Sequence, residues 1–320
     1  MGIFDFFKRN NNSITGNVDT PDELKHLVSQ SDFNFILSLA TRHLQSSGYV
    51  NVGFSEDVLF CETTGDNVLK SKINFINLVK SVICEERNDW GAKTIEYLDS
   101  FNKDAELESE VLLSFDKAKG YLTVRLQPAT NYNEEPYQSH LETLVYKVDI
   151  PETYSLLALD LPSRFHILTI DEINVWAVDK ADLFAIAHNN LLDRIENIEA
   201  QKHDCDGAVI VTLFDRDYSA SYCIDFSNSC NNLIGKKGSL ISFPTRGSVF
   251  VHPITDIVQF NIAYRYIVEK TNRFFDDDPG PVTRNIYWFY ENSFTNFEIT
   301  WNDGEITYTV PNQLNDLLNS

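Results

Sequence analysis

No apolar run in this sequence comes close to the roughly 20 residues a helix needs to span a bilayer. The first residues also lack a basic region followed by an apolar segment, so no secretory leader is expected. Positive charge is scarce: 26 Lys and Arg stand against 47 Asp and Glu, a net charge of −21. A surface of that sign repels phosphate backbones. The only adjacent basic pairs are Lys8-Arg9 and Lys236-Lys237, so nucleic acid is not the expected partner.

Cysteine is sparse and wrongly spaced for metal. Cys61, Cys84, Cys205, Cys223 and Cys230 are odd in number and never form the Cys-x-x-Cys or Cys/His spacing of a structural zinc. They read as reduced core thiols, and with the missing leader they point to the cytoplasm. The common catalytic signatures are absent too. There is no Gly-x-Ser-x-Gly elbow, no Gly-x-x-x-x-Gly-Lys-Ser/Thr phosphate loop, no Gly-x-Gly-x-x-Gly and no His-Glu-x-x-His. A myristoylation signal would need Ser or Thr where Phe6 stands.

What is present is a folding sequence. Hydrophobic residues make up 43% and aromatics 12% of 320 residues, enough for a substantial core. Residues 1–20 form a short amphipathic piece at residues 2–9 (Gly2-Ile3-Phe4-Asp5-Phe6-Phe7-Lys8-Arg9) and a polar spacer. So short a turn buries little area, and weak peripheral membrane contact is the most it offers.

Residues 21–105 read as a small α-β-β-α-α domain. A helix opens at Pro21, shows a face of Phe33, Ile36, Leu37, Ala40 and Leu44, and stops at Gly48. Strands are expected at Tyr49 to Phe54 and Val58 to Thr63, then a helix or buried segment from Ile73 to Ile83 and a second helix from Trp90 to Phe101. The acidic stretch Asp104 to Glu110 is expected to be a solvated linker.

Residues 106–320 read as a larger α+β domain. Val111 to Phe115 and Tyr121 to Gln127 suggest a hairpin, Pro128 to His140 a polar loop, and Leu141 to Val148, Tyr154 to Asp160 and Phe165 to Ile170 successive strands. The clearest helix signal runs from Val178 to Ile198, with Asp179 as N-cap and a stripe of Ala181, Phe184, Ala185, His188, Leu191, Leu192 and Ile195. A strand at Ala208 to Phe214, a short helix near Ser219 to Phe226 and a hairpin from Ser239 to His252 follow. A second long helix runs from Thr255 or Asp256 to Phe274, stopped by Asp276-Asp277-Asp278-Pro279-Gly280-Pro281. Strands at Ile286 to Tyr290, Phe297 to Trp301 and Glu305 to Val310, the last two joined at Asp303-Gly304, complete the sheet.

The fold class is therefore α+β, with mixed or antiparallel sheets packed against long amphipathic helices. The order strand-strand-helix-strand recurs around Tyr154 to Phe214 and Ser239 to Trp301, suggesting a pseudo-duplicated ββαβ unit.

One family has this order of elements and several of these strings. Leu157-Ala158-Leu159-Asp160-Leu161 is followed by Phe165-His166-Ile167-Leu168, then by Trp176 and Ile186-Ala187-His188-Asn189. Asp217-Tyr218-Ser219-Ala220-Ser221 comes next, and Pro281-Val282-Thr283 leads to Phe289-Tyr290-Glu291-Asn292. From about Phe33 to the C-terminal strands the chain resembles the YtpQ-like bacterial proteins, a domain of unknown function. The resemblance implies no activity, cofactor or catalytic residue.

Candidate chemistry comes from the residues alone. His203-Asp204-Cys205-Asp206, Asp215-Arg216-Asp217 and Asp276-Asp277-Asp278 suit hard divalent cations, but Asp also serves turns and caps where strands and helices end. Gly235-Lys236-Lys237-Gly238-Ser239 has the composition of a phosphate contact, or of an ordinary loop. His188 is expected to be a satisfied core histidine, and His166 and His252 fall in strands.

Two functional readings follow. The first is a non-catalytic cytoplasmic binding or regulatory protein engaging a protein partner through exposed sheet or through Tyr287-Trp288-Phe289-Tyr290, without a cofactor. The second is a metal-dependent hydrolase, which requires Asp204, Asp206, Asp215 and Asp217 to converge.

Overall fold

The computed structural model describes residues 18–55, 57–62, 64, 70–193, 198–277, 280–302 and 305–319. The expectations for residues 2–9, Asp278-Pro279 and Asp303-Gly304 lie outside the described residues. The chain divides into two compact units, Met1–Glu106 and Leu107–Ser320. It is an α+β protein whose named strand pairs are all antiparallel.

In the first unit, helix α1 (Gln30–Ser46) begins where the Ser29 hydroxyl accepts the Asp32 N–H at 3.2 Å. It ends before Gly48, which sits at φ +90°, a conformation glycine adopts without strain. Strands β1 (Val50–Ser55), β2 (Val58–Glu62) and β3 (Lys70–Asn74) then form a three-stranded sheet. Lys-Ser-Lys-Ile-Asn has too few apolar residues for the sequence pattern to announce β3. Asn74 caps α2 (Phe75–Ile83) by accepting the Asn77 N–H at 3.0 Å. Phe33, Phe54 and Phe75 meet edge to face at 5.3–5.8 Å in the core.

Helix α3 (Trp90–Leu112) runs through the acidic stretch, which is therefore helix and not a solvated linker, and Asp104 within it is buried. Continuation of α3, and α4 (Phe115–Ala118), also replace the first strand of the hairpin expected from Val111.

The second unit holds two main sheets. One contains β4 (Leu122–Pro128), β5 (Tyr146–Lys147), β6 (Thr153–Asp160) and β7 (Phe165–Ile167), with β6 paired to the other three. Most of the strand expected from Leu141 to Val148 is loop, since α5 (Tyr137–Leu141) occupies its start. Thr169 and Glu172 form a reciprocal capping box that starts α6 (Ile170–Asn174).

Asp179 caps α7 (Lys180–Leu192) as expected, accepting the Ala181 N–H at 2.8 Å. The helix is shorter than the periodicity predicted, and its buried stripe is turned: Leu183, Phe184, Ala187 and Leu191 are buried while Ala181 and Ala185 are exposed.

The second sheet has six strands in the order β13-β12-β10-β11-β9-β8. These are β8 (Glu199–Cys205), β9 (Ala208–Phe214), β10 (Ser239–Thr245), β11 (Ser248–Pro253), β12 (Ile286–Tyr290) and β13 (Ser293–Asn296). Short helices α8 (Ser219–Tyr222) and α9 (Phe226–Ser229) lie between β9 and β10 in sequence. Helix α10 (Ile257–Asp277) packs on the sheet, while β14 (Glu298–Asn302) and β15 (Glu305–Thr309) pair separately and α11 (Asn312–Asn319) follows. The last two strands thus do not complete the large sheet.

The two suggested ββαβ stretches are wired differently: β6 and β7 belong to one sheet and β8 and β9 to another, whereas β10 to β13 share one. No duplicated unit results.

Alternation along the strands explains the burial. Ile210, Leu240, Phe250, Ile286 and Trp288 face a core shared with Phe260, Ala263 and Ile267 of α10 and Leu314 of α11. Val211, Leu213, Ile241, Phe243, Val249, Val251, Tyr287 and Phe289 face the other way, toward β4, β6 and α7. Phe243 is fully buried and meets Tyr287 and Phe294 edge to face, each at 5.8 Å. Phe243→Ala is expected to cost about 3–5 kcal/mol by emptying that position. Urea denaturation checks this, and an unchanged midpoint contradicts the packing.

Candidate functional site

The three aspartate runs do structural work in three places. Arg125 lies buried on β4 with its guanidinium 3.8 Å from the centre of the Phe165 ring. Its Nη1 donates to the Asp217 carbonyl at 3.1 Å and to Asp217 Oδ1 at 3.2 Å. Arg246, in the turn between β10 and β11, approaches the same carboxylate at 3.9 Å. Asp217 is therefore the counter-ion of a buried arginine.

Asp204 and Asp206 belong to the β8–β9 turn. Asp206 (φ 51°) and Gly207 (φ 88°) both take left-handed conformations, as a two-residue hairpin of the primed kind requires, and Asp204 Oδ1 accepts the Gly207 N–H at 2.9 Å. The seven residues of β9 separate this turn from Asp215, roughly 20 Å at about 3.3 Å per residue. The two runs do not converge.

Asp276 pairs with Arg284 at 3.1 Å, and Asp277 lies 3.6 Å from Arg273. Among the described residues, no group of three His, Cys, Asp or Glu side chains is placed to hold a metal ion.

The glycine-lysine loop is packed rather than open. Lys237 donates its N–H to the Ile254 carbonyl at 3.1 Å, accepts the Trp288 indole N–H at 2.8 Å, and bonds through its ammonium to the Leu317 carbonyl in α11. A Cβ on Gly235 or Gly238 would lie 2.4 Å from the backbone of Ile254 or Phe289. The glycines answer to close approach, not to a phosphate.

The three histidines differ. His188 is half-buried off the core stripe, and Lys147 Nζ donates to its Nε2 at 3.3 Å, with Asp149 3.2 Å from the same ammonium. Burial, then the Lys147 charge, pulls its pKa down, so the ring is a neutral acceptor. His252 is buried and donates from Nδ1 to the Val209 carbonyl at 2.8 Å, with its pKa lowered chiefly by burial.

His166 is the charged one. Its Nδ1 lies 3.3 Å from Glu108 of α3 and its Nε2 3.0 Å from Glu172 of α6, which also accepts the Thr169 N–H at 2.8 Å. Burial opposes the charge, but hydrogen bonds to Glu108 and Glu172 outweigh it and raise the pKa to about 9. The Thr169-x-x-Glu172 spacing was a readable sign of this centre. Glu108 was hidden in the acidic run.

The aromatic segment is interior. Tyr287, Trp288 and Phe289 are 0%, 2% and 3% exposed because β12 is covered on both faces. All five cysteines are free thiols, but Cys84 is exposed and Cys205 half-buried, so only Cys61, Cys223 and Cys230 are core thiols.

What remains open is the free edge of β8. It pairs with β9 in unbroken register from Glu199↔Phe214 to Cys205↔Ala208. A two-residue turn makes the Cys205/Ala208 pair a hydrogen-bonded one, and such pairs alternate. Ala200, Lys202 and Asp204 therefore turn their N–H and C=O groups away from β9, and no other strand pairs there among the described residues. Glu199, Ala200, Gln201, Lys202 and Asp204 are exposed. His203 lies 6.3 Å from the Tyr266 ring, and Cys205 packs against the α10 core, so the strand is anchored from one side.

No protein-family model, curated protein or solved structure matches the chain. No helix among the described residues is long and apolar enough to cross a membrane.

The His166 charge yields a pH prediction. Because its folded pKa lies above the ordinary value of 6.5, the stabilisation is complete below that value and is lost as pH rises through about 9. His166→Gln is expected to cost roughly 1–3 kcal/mol at pH 7 and much less at pH 10. Paired urea titrations of the two proteins measure it, and a gap that does not shrink with pH argues against a charged imidazole.

Proposed function

We propose that this chain is a non-catalytic binding or regulatory protein of the bacterial cytoplasm, whose partner is another protein that adds an extended segment to the free edge of β8. The observation that carries this is the outward row of main-chain donors and acceptors on Ala200, Lys202 and Asp204. An added strand makes such bonds regardless of its sequence, and flanking side chains select it. Each bond contributes about 0.5–1.5 kcal/mol net, so the backbone alone supports weak, reversible association.

The charges Glu199, Lys202 and Asp204 discourage indiscriminate pairing along this edge. With a net charge of −21, complementarity favours a basic partner segment. Five free thiols support the cytoplasmic reading. Likeness to the YtpQ-like proteins belongs to the same proposal, supported by the strings at 157–161 and 165–168; it adds no activity.

Proline at an outward N–H leaves the β8–β9 ladder intact, whereas at an inward one it removes a ladder bond. Lys202→Pro is therefore expected to fold with unchanged thermal stability and to lose a partner that the wild type captures from its own cells. In the wild-type complex the amides of residues 200, 202 and 204 should gain hydrogen-exchange protection. Equal capture by both proteins, or no capture by either, overturns the proposal.

A further inference from the structure

The segment carrying α8 and α9 holds a pair of buried thiols. Cys223 and Cys230 sit with their sulfurs 3.7 Å apart, 0% and 3% exposed, in the same core as Phe289 and Phe294. The chain between them is already folded back on itself. Cys230 donates its N–H to the Phe226 carbonyl at 2.9 Å, and the Tyr222 hydroxyl donates to the Ser229 carbonyl at 2.9 Å. Sulfurs this close need to move by only about 1.7 Å to reach disulfide bonding distance.

We infer that Cys223 and Cys230 form a reversible intramolecular disulfide, closed by hydrogen peroxide and reopened by a thiol reductant. The two sulfurs are unequal. Cys230 Sγ is in contact with Cys223 and lies 3.6 Å from the Ser229 hydroxyl, whose proton goes to the nearer Asp225 carbonyl at 2.9 Å. The Cys223 contact holds the Cys230 thiol on the acid side of its ordinary range, while burial pushes Cys223 up. Cys230, also the less enclosed of the two, is thus the attacking sulfur.

Its thiolate breaks the O–O bond of the peroxide, takes one oxygen as a sulfenic acid and releases water. The Cys223 sulfur then attacks the Cys230 sulfur, the S–O bond breaks, and a second water leaves. Two thiols lose two protons and two electrons, and one peroxide becomes two waters.

Access comes from local opening. Both sulfurs are closed off from solvent in the folded unit, with Ala220, Tyr222, Ile224 and Phe226 buried around them, so peroxide reaches them only in rare openings of residues 219–230 and oxidation is slow.

The test uses the full chain carrying Cys84→Ser, which removes the exposed thiol. Hydrogen peroxide is expected to lower the intact mass by about 2 Da, to leave only Cys61 and Cys205 open to alkylation after denaturation, and to yield a peptide joining Cys223 to Cys230. Dithiothreitol restores all four thiols. The oxidised form should melt about 5 °C higher, since an eight-residue loop has been closed. Cys230→Ser in the same background should show neither the mass loss nor the shift. Four alkylatable thiols after peroxide, a bond between another pair, or gain of oxygen without loss of hydrogen overturns the inference.

Discussion

Burial of both faces of the six-stranded sheet is the constraint on which the larger unit depends. All seven residues of β10 are buried, so its polar groups have no water to turn to. Each finds a fixed partner instead. Ser242 receives the Thr271 hydroxyl of α10 at 2.8 Å, and Thr245 meets Ser248 at 2.6 Å across the hairpin. The same need pins the loops: the Trp288 indole holds Lys237, and the Tyr287 hydroxyl donates to the Pro151 carbonyl at 2.9 Å. Loop positions that looked free for ligands are thus determined by the sheet's requirement for hydrogen-bond partners.

Charge follows a similar logic. The excess of acid sits mostly on the surface, but the cations drawn inward, Arg125 and His166, are each met by carboxylates. Breaking one such pair leaves its partner buried and unmatched, which costs more than the pair itself contributes. These centres therefore fasten segments distant in sequence: Asp217 to β4, and Glu108 to α6 through His166. Of the aspartates that suited metal chemistry, Asp217 is held by this fastening, Asp204 by a turn, and Asp276 and Asp277 by arginines at the surface.

Much of the fold could be read directly where local chemistry and tertiary context agree. Asp179 before α7, Gly48 after α1 and the hairpin from Ser239 are such places. The candidate edge was not legible, for a physical reason. A strand that buries almost nothing carries no apolar alternation, and Glu-Ala-Gln-Lys-His-Asp-Cys is strand only because β9 lies beside it. Its one local sign, Asp206-Gly207, sat inside a run that also looked like cation ligands. Tyr287 to Tyr290 shows the reverse: an aromatic run suggests a contact surface unless both faces of its strand are known to be covered. Likewise Asp104 to Glu110 reads as solvated charge until the helix through it is seen to carry Glu108 toward His166.

The edge and the dithiol lie on different sides of the same sheet. His203 and Cys205 lean toward α10, whereas Cys223 and Cys230 belong to the core on the opposite face. Between them stand strands whose side chains are close-packed on both sides, a medium that resists small displacements instead of passing them on. Closing the proposed disulfide would draw two sulfurs together within one short segment, away from the β8–β9 register. The strand addition proposed at β8 would in turn use main-chain groups that point away from the core. Thermodynamic coupling needs an element with two arrangements that both sites bias, and the β9–β11 pair, in continuous register from Phe214 to Val211, is a single one. The two properties are therefore expected to operate independently.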